Sequence, residues 1–288
     1  MVVTDPAKII LDDGENDAYN PNLYHFDKVA PYVATLADIT DEHIQFFREQ
    51  GYLAVAQAFT REEIDAALAG MLDLIDGKNP DFTGVQFERF AQDRLATLRP
   101  EEKQDVVRKI MWFVNYDDRL KALSAHPELL AAVRRIVNGE PKMFQDMGLI
   151  KPPSGGREKP WHQDKAFFDL DIDAPVVGVW IAFDEATPEN GCMHVLPGTH
   201  REGPVVHFKR RDWQICDTDV QTARDVMVPL KPGGCLFFDG LIHHGTPVNR
   251  TTTRRRAVQF HYTATDAKWL DQAYRLSLFG SEGKDVTC

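Results

Sequence analysis

Cysteine is scarce in this chain, with four residues among 288, and no two of them stand in a C-x-x-C arrangement. This spacing excludes a zinc knuckle and a thioredoxin-like redox motif. We therefore expect reduced, unpaired thiols, as is typical of cytoplasmic proteins, at Cys192, Cys216, Cys235 and Cys288.

Long hydrophobic runs and linkers are also missing. No apolar stretch approaches the roughly 18 residues of a membrane span, and Met1 to Asp5 lead into polar sequence, not into an apolar signal core. No Pro/Gly/Ser-rich linker, repeat or low-complexity stretch divides the chain. We expect a cytoplasmic protein without a membrane partner, in which a polar N-terminal arm or lid over 1–38 precedes one catalytic domain over 39–288.

Positive charge is in deficit, because 33 Lys and Arg residues stand against 44 Asp and Glu residues, a formal net charge of -11. Nucleic acids and anionic membranes need a basic surface, so neither is an expected partner. Arginines do cluster at Arg210-Arg211 and at Arg254-Arg255-Arg256. We expect a monomer or a homodimer.

Helix signals dominate the first half of the chain. Capping residues and helical spacing of apolar side chains predict four helical stretches there. They begin at Thr40, Thr60, Pro100 and Pro127, and the last one runs from Pro127 to Val137 and is terminated by Gly139.

Short strand signals dominate from Lys142 onward, and Asn190-Gly191 is a type I′ hairpin signal. The predicted strands cover residues 143–144, 149–150, 176–183, 193–196, 226–230, 235–238 and 257–262. A helical part followed by many short strands predicts an α+β protein whose catalytic half is a sandwich or jelly roll.

The run Trp161-His162-Gln163-Asp164 carries a His-x-Asp pair. In an extended strand, residues i and i+2 point to the same face, so His162 and Asp164 could hold one ion together. His244 follows an apolar strand that would deliver it to the mouth of a sheet. Two histidines and one carboxylate form the facial triad that holds one face of Fe(II) and leaves the other positions open.

Arg255 lies eleven residues after His244, on the next predicted strand. An arginine can hold a dicarboxylate bidentately, which a lysine does less well.

These motifs together resemble the phytanoyl-CoA dioxygenase family of non-haem iron, 2-oxoglutarate-dependent oxygenases. The resemblance covers about residues 40–265 and rests also on 51–55, 145–152, 187–192 and 197–200. It implies a double-stranded β-helix (jelly roll, cupin-like) core with N-terminal helices packed on the major sheet.

The resemblance also implies roles for individual residues. His162, Asp164 and His244 would be the iron ligands and catalytic centre, with Arg255 and Thr246 holding the distal carboxylate of 2-oxoglutarate, Lys109 and Trp180 lining its pocket, and Gln145 facing the iron. For Gln145, a strand residue that satisfies the backbone is an equally good interpretation.

His243 is an adjacent rival for the metal. Neighbouring strand residues point to opposite faces, so only one of the two histidines can be a ligand. The interval to Arg255 and the hydroxyl at Thr246 both favour His244.

The implied reaction uses Fe(II), 2-oxoglutarate and O₂ to hydroxylate an aliphatic C–H bond of a small molecule, with release of succinate and CO₂. Halogenating relatives replace the triad carboxylate by a small residue, so Asp164 favours hydroxylation. Desaturation, epoxidation and ring formation remain open, and so does a jelly-roll binding protein without turnover.

The substrate is less constrained. Ectoine-hydroxylating relatives carry an arginine where this chain has Met147, which counts against ectoine. An acyl-CoA would need a basic groove, to which residues 209–211 could contribute, but the overall acidity counts against it. Four aromatic residues could line an apolar pocket or belong to the core, namely Phe167, Phe168, Trp213 and Trp269.

Overall fold

The structure is a computed structural model, and it describes residues 10–12 and 19–280. The α-helices are α1 (Asp41–Gln50), α2 (Arg61–Ile75), α3 (Pro100–Lys103), α4 (Asp118–Ser124), α5 (Pro127–Val137) and α6 (Gln272–Phe279). The strands are β1 (Ile10–Asp12), β2 (Tyr32–Thr35), β3 (Tyr52–Gln57), β4 (Val85–Glu88), β5 (Val107–Met111), β6 (Pro141–Lys151), β7 (Lys159–His162), β8 (Val176–Ala182), β9 (Met193–Val195), β10 (His207–Lys209), β11 (Trp213–Ile215), β12 (Val226–Val228), β13 (Cys235–Asp239), β14 (His244–Thr246) and β15 (Arg255–Ala264).

Within the described ranges, nine strands form a large sheet in the order β1-β4-β5-β6-β15-β8-β13-β3-β2. Four more form a small sheet in the order β12-β9-β14-β7, and β10 pairs with β11. In the large sheet, β15 lies between β6 and β8 and is antiparallel to both. It is therefore an interior strand whose two faces are both covered.

The two faces of the large sheet pack against different layers. On one face, Trp180, Leu236 and Phe238 pack with Val195 and Val228 of the small sheet. On the other face, the apolar residues of β8, β13 and β15 pack against α1, α2, α4 and α5. Helices, large sheet and small sheet thus form three layers around two apolar cores, and the predicted α+β class is confirmed.

Local capping chemistry explains the helices that the sequence predicts. Thr60 accepts a hydrogen bond from the Glu63 amide and closes the predicted capping box. Gly51 ends α1 with φ 82°, a left-handed conformation that suits glycine. The bounds of α5, Pro127–Val137, are as predicted, but Asn138, not Gly139, takes the left-handed position after it with φ 53°.

The first half of the chain contains strands as well as the predicted helices. The helix at Pro100 is a single turn, and β2, β3, β4 and β5 come from this half. β3 pairs with β13, and β5 pairs with β6. Since these partners come later in the chain, the pairing leaves little local signal in the sequence.

The predicted type I′ hairpin at Asn190-Gly191 is also wrong. Gly191 has φ 87°, but Asn190 is not among the residues with positive φ, which a type I′ turn requires at both positions. Instead, the Asn190 side chain accepts from the Thr187 amide and donates to the Glu185 carbonyl. The flanking strands β8 and β9 lie in different sheets.

The predicted N-terminal arm is described only in part, because residues 1–9 and 13–18 lie outside the described residues. Over 19–38, Leu23, Val33 and Leu36 are buried, and β2 pairs in parallel with β3. The expectation that this stretch lies outside the core is therefore wrong for its described part. The division into 1–38 and one domain over 39–288 stays a prediction.

The cysteines differ in their state. Cys192 and Cys235 are buried free thiols, as expected. The expectation is wrong for Cys216, which is disulfide-bonded, and Cys288 lies outside the described residues.

The helices of the described residues were compared in length and apolar character with a membrane-spanning helix, and none of them is both long enough and apolar enough to cross a membrane.

The close approach of β8 to β13 generates a prediction. A Cβ added at Gly178 would lie 2.3 Å from Cζ of Phe238, whose ring centroid is 4.7 Å from that of His244. We expect Gly178→Ala to lower the free energy of unfolding by about 1–3 kcal/mol through overpacking, measured by urea denaturation. Gly155→Ala is the matched control, because its Cβ would meet only the Pro153 carbonyl at 3.6 Å. An unchanged or raised stability of Gly178→Ala would contradict this packing.

Candidate active site

Three potential metal ligands meet where β7 and β14 pair in the small sheet. His162 ends β7 opposite His244, which opens β14. Asp164 lies just past the strand, at the start of a 3₁₀ helix over Asp164–Phe167. One ligand atom from each of the three buried residues lies within 4.8 Å of the others. The structure therefore brings the predicted triad together, although Asp164 is not itself in the strand.

The two histidines present the same ring nitrogen to the carboxylate. His162 Nε2 is 3.2 Å from Asp164 Oδ1, and His244 Nε2 is 3.6 Å from Asp164 Oδ2. Each Nδ1 lies within hydrogen-bond distance of a carbonyl oxygen two residues earlier, 2.8 Å from Pro160 and 3.1 Å from Ile242. Because a carbonyl only accepts, each Nδ1 carries the proton and each Nε2 keeps its lone pair for a ligand.

Burial keeps the His244 imidazole neutral. Desolvation, followed by the charge of His162, lowers the pKa of His244 to about 3. A neutral imidazole is the form that binds metals, so His244 is ready as a ligand at ordinary pH.

Gln163, the middle residue of the His-x-Asp pair, anchors the segment from the other side. Its side-chain amide donates to the carbonyls of Gly203 and Leu241 and accepts from the Val205 amide. Its own backbone amide donates to His207 Nε2. The alternation of faces that directs His162 and Asp164 inward thus directs Gln163 into supporting contacts.

His243 takes no part in the triad. Its backbone amide donates to the Thr199 hydroxyl, and neither ring nitrogen has a partner among the described residues. Only His244 of the pair stands with His162 and Asp164 in the group of potential ligands.

Asp164 has two further partners that the sequence interpretation missed as functional residues. Gln259 Nε2 donates to its Oδ2 at 3.1 Å, and His261 Nε2 lies 2.7 Å from the same oxygen. Burial by itself raises the pKa of Asp164, but the imidazoles, His244 first among them, and the hydrogen bonds hold it well below its ordinary value. The carboxyl is therefore ionised.

A sequence signal for these partners exists on β15. Arg255, Gln259 and His261 share the odd-numbered positions of β15, and the apolar Val258 and Phe260 lie on even-numbered positions between them. Polar residues at a period of two predict one polar face on a buried strand.

A cavity of about 340 Å³ opens next to the triad, between the large and small sheets. It contains the triad and all five residues predicted to surround the cosubstrate, Lys109, Gln145, Trp180, Thr246 and Arg255. They come from β5, β6, β8, β14 and β15, so only the folded sheets bring them together.

Several buried polar atoms in this cavity have no partner among the described residues. They are Nε and Nη1 of Arg255, Nε1 of Trp180 and Oε1 of Gln145. The Arg255 guanidinium carbon lies 5.3 Å from the centre of the Trp180 ring, and burial lowers the pKa of Arg255 to about 10, so it is cationic at neutral pH. Unpaired buried donors are costly, which favours an anionic ligand at this end of the cavity.

The donor set fits the groups that the sequence predicts. Two imidazole nitrogens and one carboxylate oxygen suit a divalent iron centre with open positions. The orphaned donors of Arg255 suit a carboxylate group at a distance from that centre.

Aromatic residues form part of the cavity wall. Phe167 and Phe168 line it, and Met147 lies in the same wall. Trp213 does not line the cavity but packs edge-on against Phe167 at 5.2 Å between ring centroids. Trp269 also lies outside the lining and is half exposed. Two of the four predicted aromatics therefore face the cavity.

Comparison with known proteins gives a family match. Residues 47–257 match the phytanoyl-CoA dioxygenase (PhyH) family. The peroxisomal phytanoyl-CoA dioxygenase of Rattus norvegicus is 28% identical over 243 residues, which cover 80% of this chain and 70% of the relative.

Two solved structures share the fold. The non-haem α-ketoglutarate-dependent carbocyclase SnoK from nogalamycin biosynthesis is 21% identical, with a TM-score of 0.64 over 88% of this chain and 96% of SnoK. EvdO2 from Micromonospora carbonacea var. aurantiaca, complexed with 2-oxoglutarate, is 24% identical, with a TM-score of 0.59 over 81% of this chain and 97% of EvdO2.

The contacts of His261 with Asp164 generate a prediction. The His261 ring is surrounded by aromatic rings at 4.8 to 6.2 Å, so Phe should fit in its place. We expect His261→Phe to weaken Mn(II) binding by about 10- to 100-fold at nearly unchanged melting temperature, because a partner that orients a ligand is lost. Titration calorimetry measures the affinity.

A matched control is His126→Phe, which replaces a ring that packs on Phe59 in another part of the chain. We expect this variant to bind Mn(II) as the wild type does. Equal Mn(II) affinity of His261→Phe and wild type would contradict an orienting role for His261.

Proposed function

This chain belongs to the phytanoyl-CoA dioxygenase family, and we propose that it hydroxylates an aliphatic C–H bond of a small-molecule metabolite in its cavity. It is a non-haem Fe(II)- and 2-oxoglutarate-dependent dioxygenase. The observation that carries the proposal is the joint presence, in one cavity, of the His-Asp-His triad and the orphaned guanidinium of Arg255.

His162, Asp164 and His244 would hold the iron. Both histidines present Nε2 toward Asp164, and Asp164 offers the only negative charge of the three. When bound, Fe(II) supplies the oxidation in which 2-oxoglutarate and O₂ give succinate, CO₂ and an oxygen atom for the substrate. The protein itself orients the reactants and excludes bulk water from the buried triad.

Arg255 would bind the distal carboxylate of 2-oxoglutarate, with the Thr246 hydroxyl beside it. The Trp180 ring stacks near the guanidinium and restricts its orientation. Lys109 and Gln145 line the same cavity and would contact the remainder of the cosubstrate. For Gln145, the unpartnered amide oxygen supports this role over that of a residue bonded to the backbone.

Cavity size and charge support a small substrate. About 340 Å³ is at the lower end of small-molecule sites, and the cosubstrate would occupy part of it. Arg211, one of the arginines considered for acyl-CoA, is buried in ion pairs with Glu158 and Asp217 and offers no surface charge. Met147 lines the cavity, so the departure from the ectoine-hydroxylating pattern falls within the site.

Hydroxylation is favoured over halogenation, because Asp164 occupies the position that a halide would need. A product that gains one oxygen atom would support hydroxylation or epoxidation, and one that loses two hydrogen atoms would indicate desaturation or ring formation. Mass spectrometry of the product distinguishes these outcomes.

Other features belong to the same proposal. The strand order of two packed sheets supports a double-stranded β-helix, or jelly roll. A cytoplasmic location and a monomeric or homodimeric state stay predictions, and the rat relative is named as peroxisomal. The net charge of -11 supports the absence of nucleic-acid and membrane partners.

Succinate formation tests the proposed activity. We expect purified protein with Fe(II), 2-oxoglutarate and O₂ to release succinate in a screen of small metabolites, and Asp164→Ala to lose this activity because the triad loses its carboxylate. Under anaerobic conditions the wild type should also show visible-region absorption from the iron–2-oxoglutarate complex. Absence of both signals would contradict the proposed function.

Arg255 provides a second test. We expect Arg255→Gln to raise the KM for 2-oxoglutarate on the order of 100-fold, because a buried charged contact is lost. Arg256→Gln is the matched control, since Arg256 is the next residue on β15 and pairs with Asp184 outside the cavity. Steady-state kinetics at varied 2-oxoglutarate concentration measure the KM of each variant. An equal rise in KM for the two substitutions would contradict the role of Arg255 in binding 2-oxoglutarate.

A further inference from the structure

Lys151 is a buried lysine beside the cosubstrate end of the cavity. It is only 4% exposed, lines the cavity, and lies directly opposite Arg255 in the β6–β15 pairing. No carboxylate of residues 19–280 forms an ion pair with it. Glu158, whose charge favours the protonated form, is itself bonded to Arg211 and Tyr24.

The Lys151 ammonium donates to three backbone carbonyls. Nζ is 2.7 Å from the Pro247 oxygen and 3.4 Å from the Thr246 oxygen, and it also donates to the Arg157 oxygen. Three donors therefore meet three acceptors, which is the full capacity of an ammonium group. Two of these carbonyls belong to Thr246, the last residue of β14, and to Pro247, which follows it. Thr246 and Arg255 line the same cavity.

The surrounding backbone makes room for this side chain. A Cβ at Gly156 would lie 2.6 Å from Lys151 Cβ, and one at Gly191 would lie 3.1 Å from both Cδ and Cε. The Lys151 stem thus passes between two glycines. Gly191 belongs to the Asn190-Gly191 turn, for which the sequence predicted a hairpin.

The arrangement is costly unless an anion is bound. Burial and the charge of Arg255 both lower the pKa of Lys151. In the absence of an anion, the ammonium form of Lys151 and the guanidinium on the paired position of β15 repel each other, whereas a dianion between the sheets would be attracted by both. An apolar residue at position 151 would avoid this cost.

We propose that Lys151 is a positioning residue for the distal carboxylate of 2-oxoglutarate, fixing the Thr246–Pro247 backbone and adding positive charge beside Arg255. The inference rests on the proposed function, since it requires that 2-oxoglutarate binds. Lys151 acts through Thr246 and Arg255, because its own donors are taken by carbonyls.

Ligand binding tests this role independently of turnover. The Mn(II)-loaded protein is titrated anaerobically by calorimetry with 2-oxoglutarate, and with pyruvate, an oxoacid that lacks the distal carboxylate. We expect Lys151→Met to raise the Kd for 2-oxoglutarate on the order of tenfold, and to leave the Kd for pyruvate unchanged. General damage to the fold would weaken the binding of both oxoacids, so a loss of affinity for 2-oxoglutarate alone indicates a specific effect at the distal carboxylate.

Two further variants keep the test decisive. Tyr262→Phe also removes a buried hydrogen bond to a backbone carbonyl, because the Tyr262 hydroxyl donates to the Ser124 oxygen on the helix-facing side of β15. This variant should leave the affinities for 2-oxoglutarate and for pyruvate unchanged. If Lys151→Met does not fold, Lys151→Gln keeps an amide group with two N–H donors but without the charge, and it should weaken 2-oxoglutarate binding selectively.

Different results would contradict the positioning role of Lys151 and the proposed function. Wild-type affinity for 2-oxoglutarate in the folded Lys151 variant, or equal weakening of 2-oxoglutarate and pyruvate, would overturn the positioning role. Wild-type protein that binds Mn(II) but not 2-oxoglutarate would overturn the proposed function itself.

Discussion

The buried carboxylate of Asp164 is the group on which the rest of the site depends. Removing an ionised carboxylate from water costs several kcal/mol unless it is compensated. Here the compensation comes from Gln259 and His261 of the large sheet. Since Asp164 itself follows β7 of the small sheet, this one charge couples the packing of the two layers to the geometry of the candidate metal centre.

Strand β15 connects that charge to the core. Its cavity face carries Arg255, Gln259 and His261, while Val258 and Phe260 on the other face pack under the helices. The strand is held on both sides by β6 and β8, so it has little freedom to shift. A one-residue slip would exchange the two faces and place the guanidinium of Arg255 in the apolar core. The helical layer therefore contributes to the site indirectly, by fixing the register of β15.

Much of the site could be predicted from the sequence, because its chemistry is concentrated in residues with few other uses. A His-x-Asp pair, a distant histidine and an arginine at a fixed interval identified His162, Asp164, His244 and Arg255, and the structure places all four around one cavity. Contacts between distant segments were harder to predict. The pairing of β3 with β13, the roles of Gln259 and His261, and the disulfide state of Cys216 all depend on partners that local patterns do not specify.

Transfer of oxygen from O₂ tests the assignment of Fe(II) and 2-oxoglutarate to this cavity most directly. Protein supplied with Fe(II) and 2-oxoglutarate is allowed to turn over under isotopically labelled dioxygen, and the succinate is analysed by mass spectrometry. The structure predicts that the wild type forms succinate carrying one oxygen atom from O₂. The Asp164→Ala variant should form none. Unlabelled succinate, or no succinate with any tested metabolite, would contradict the account.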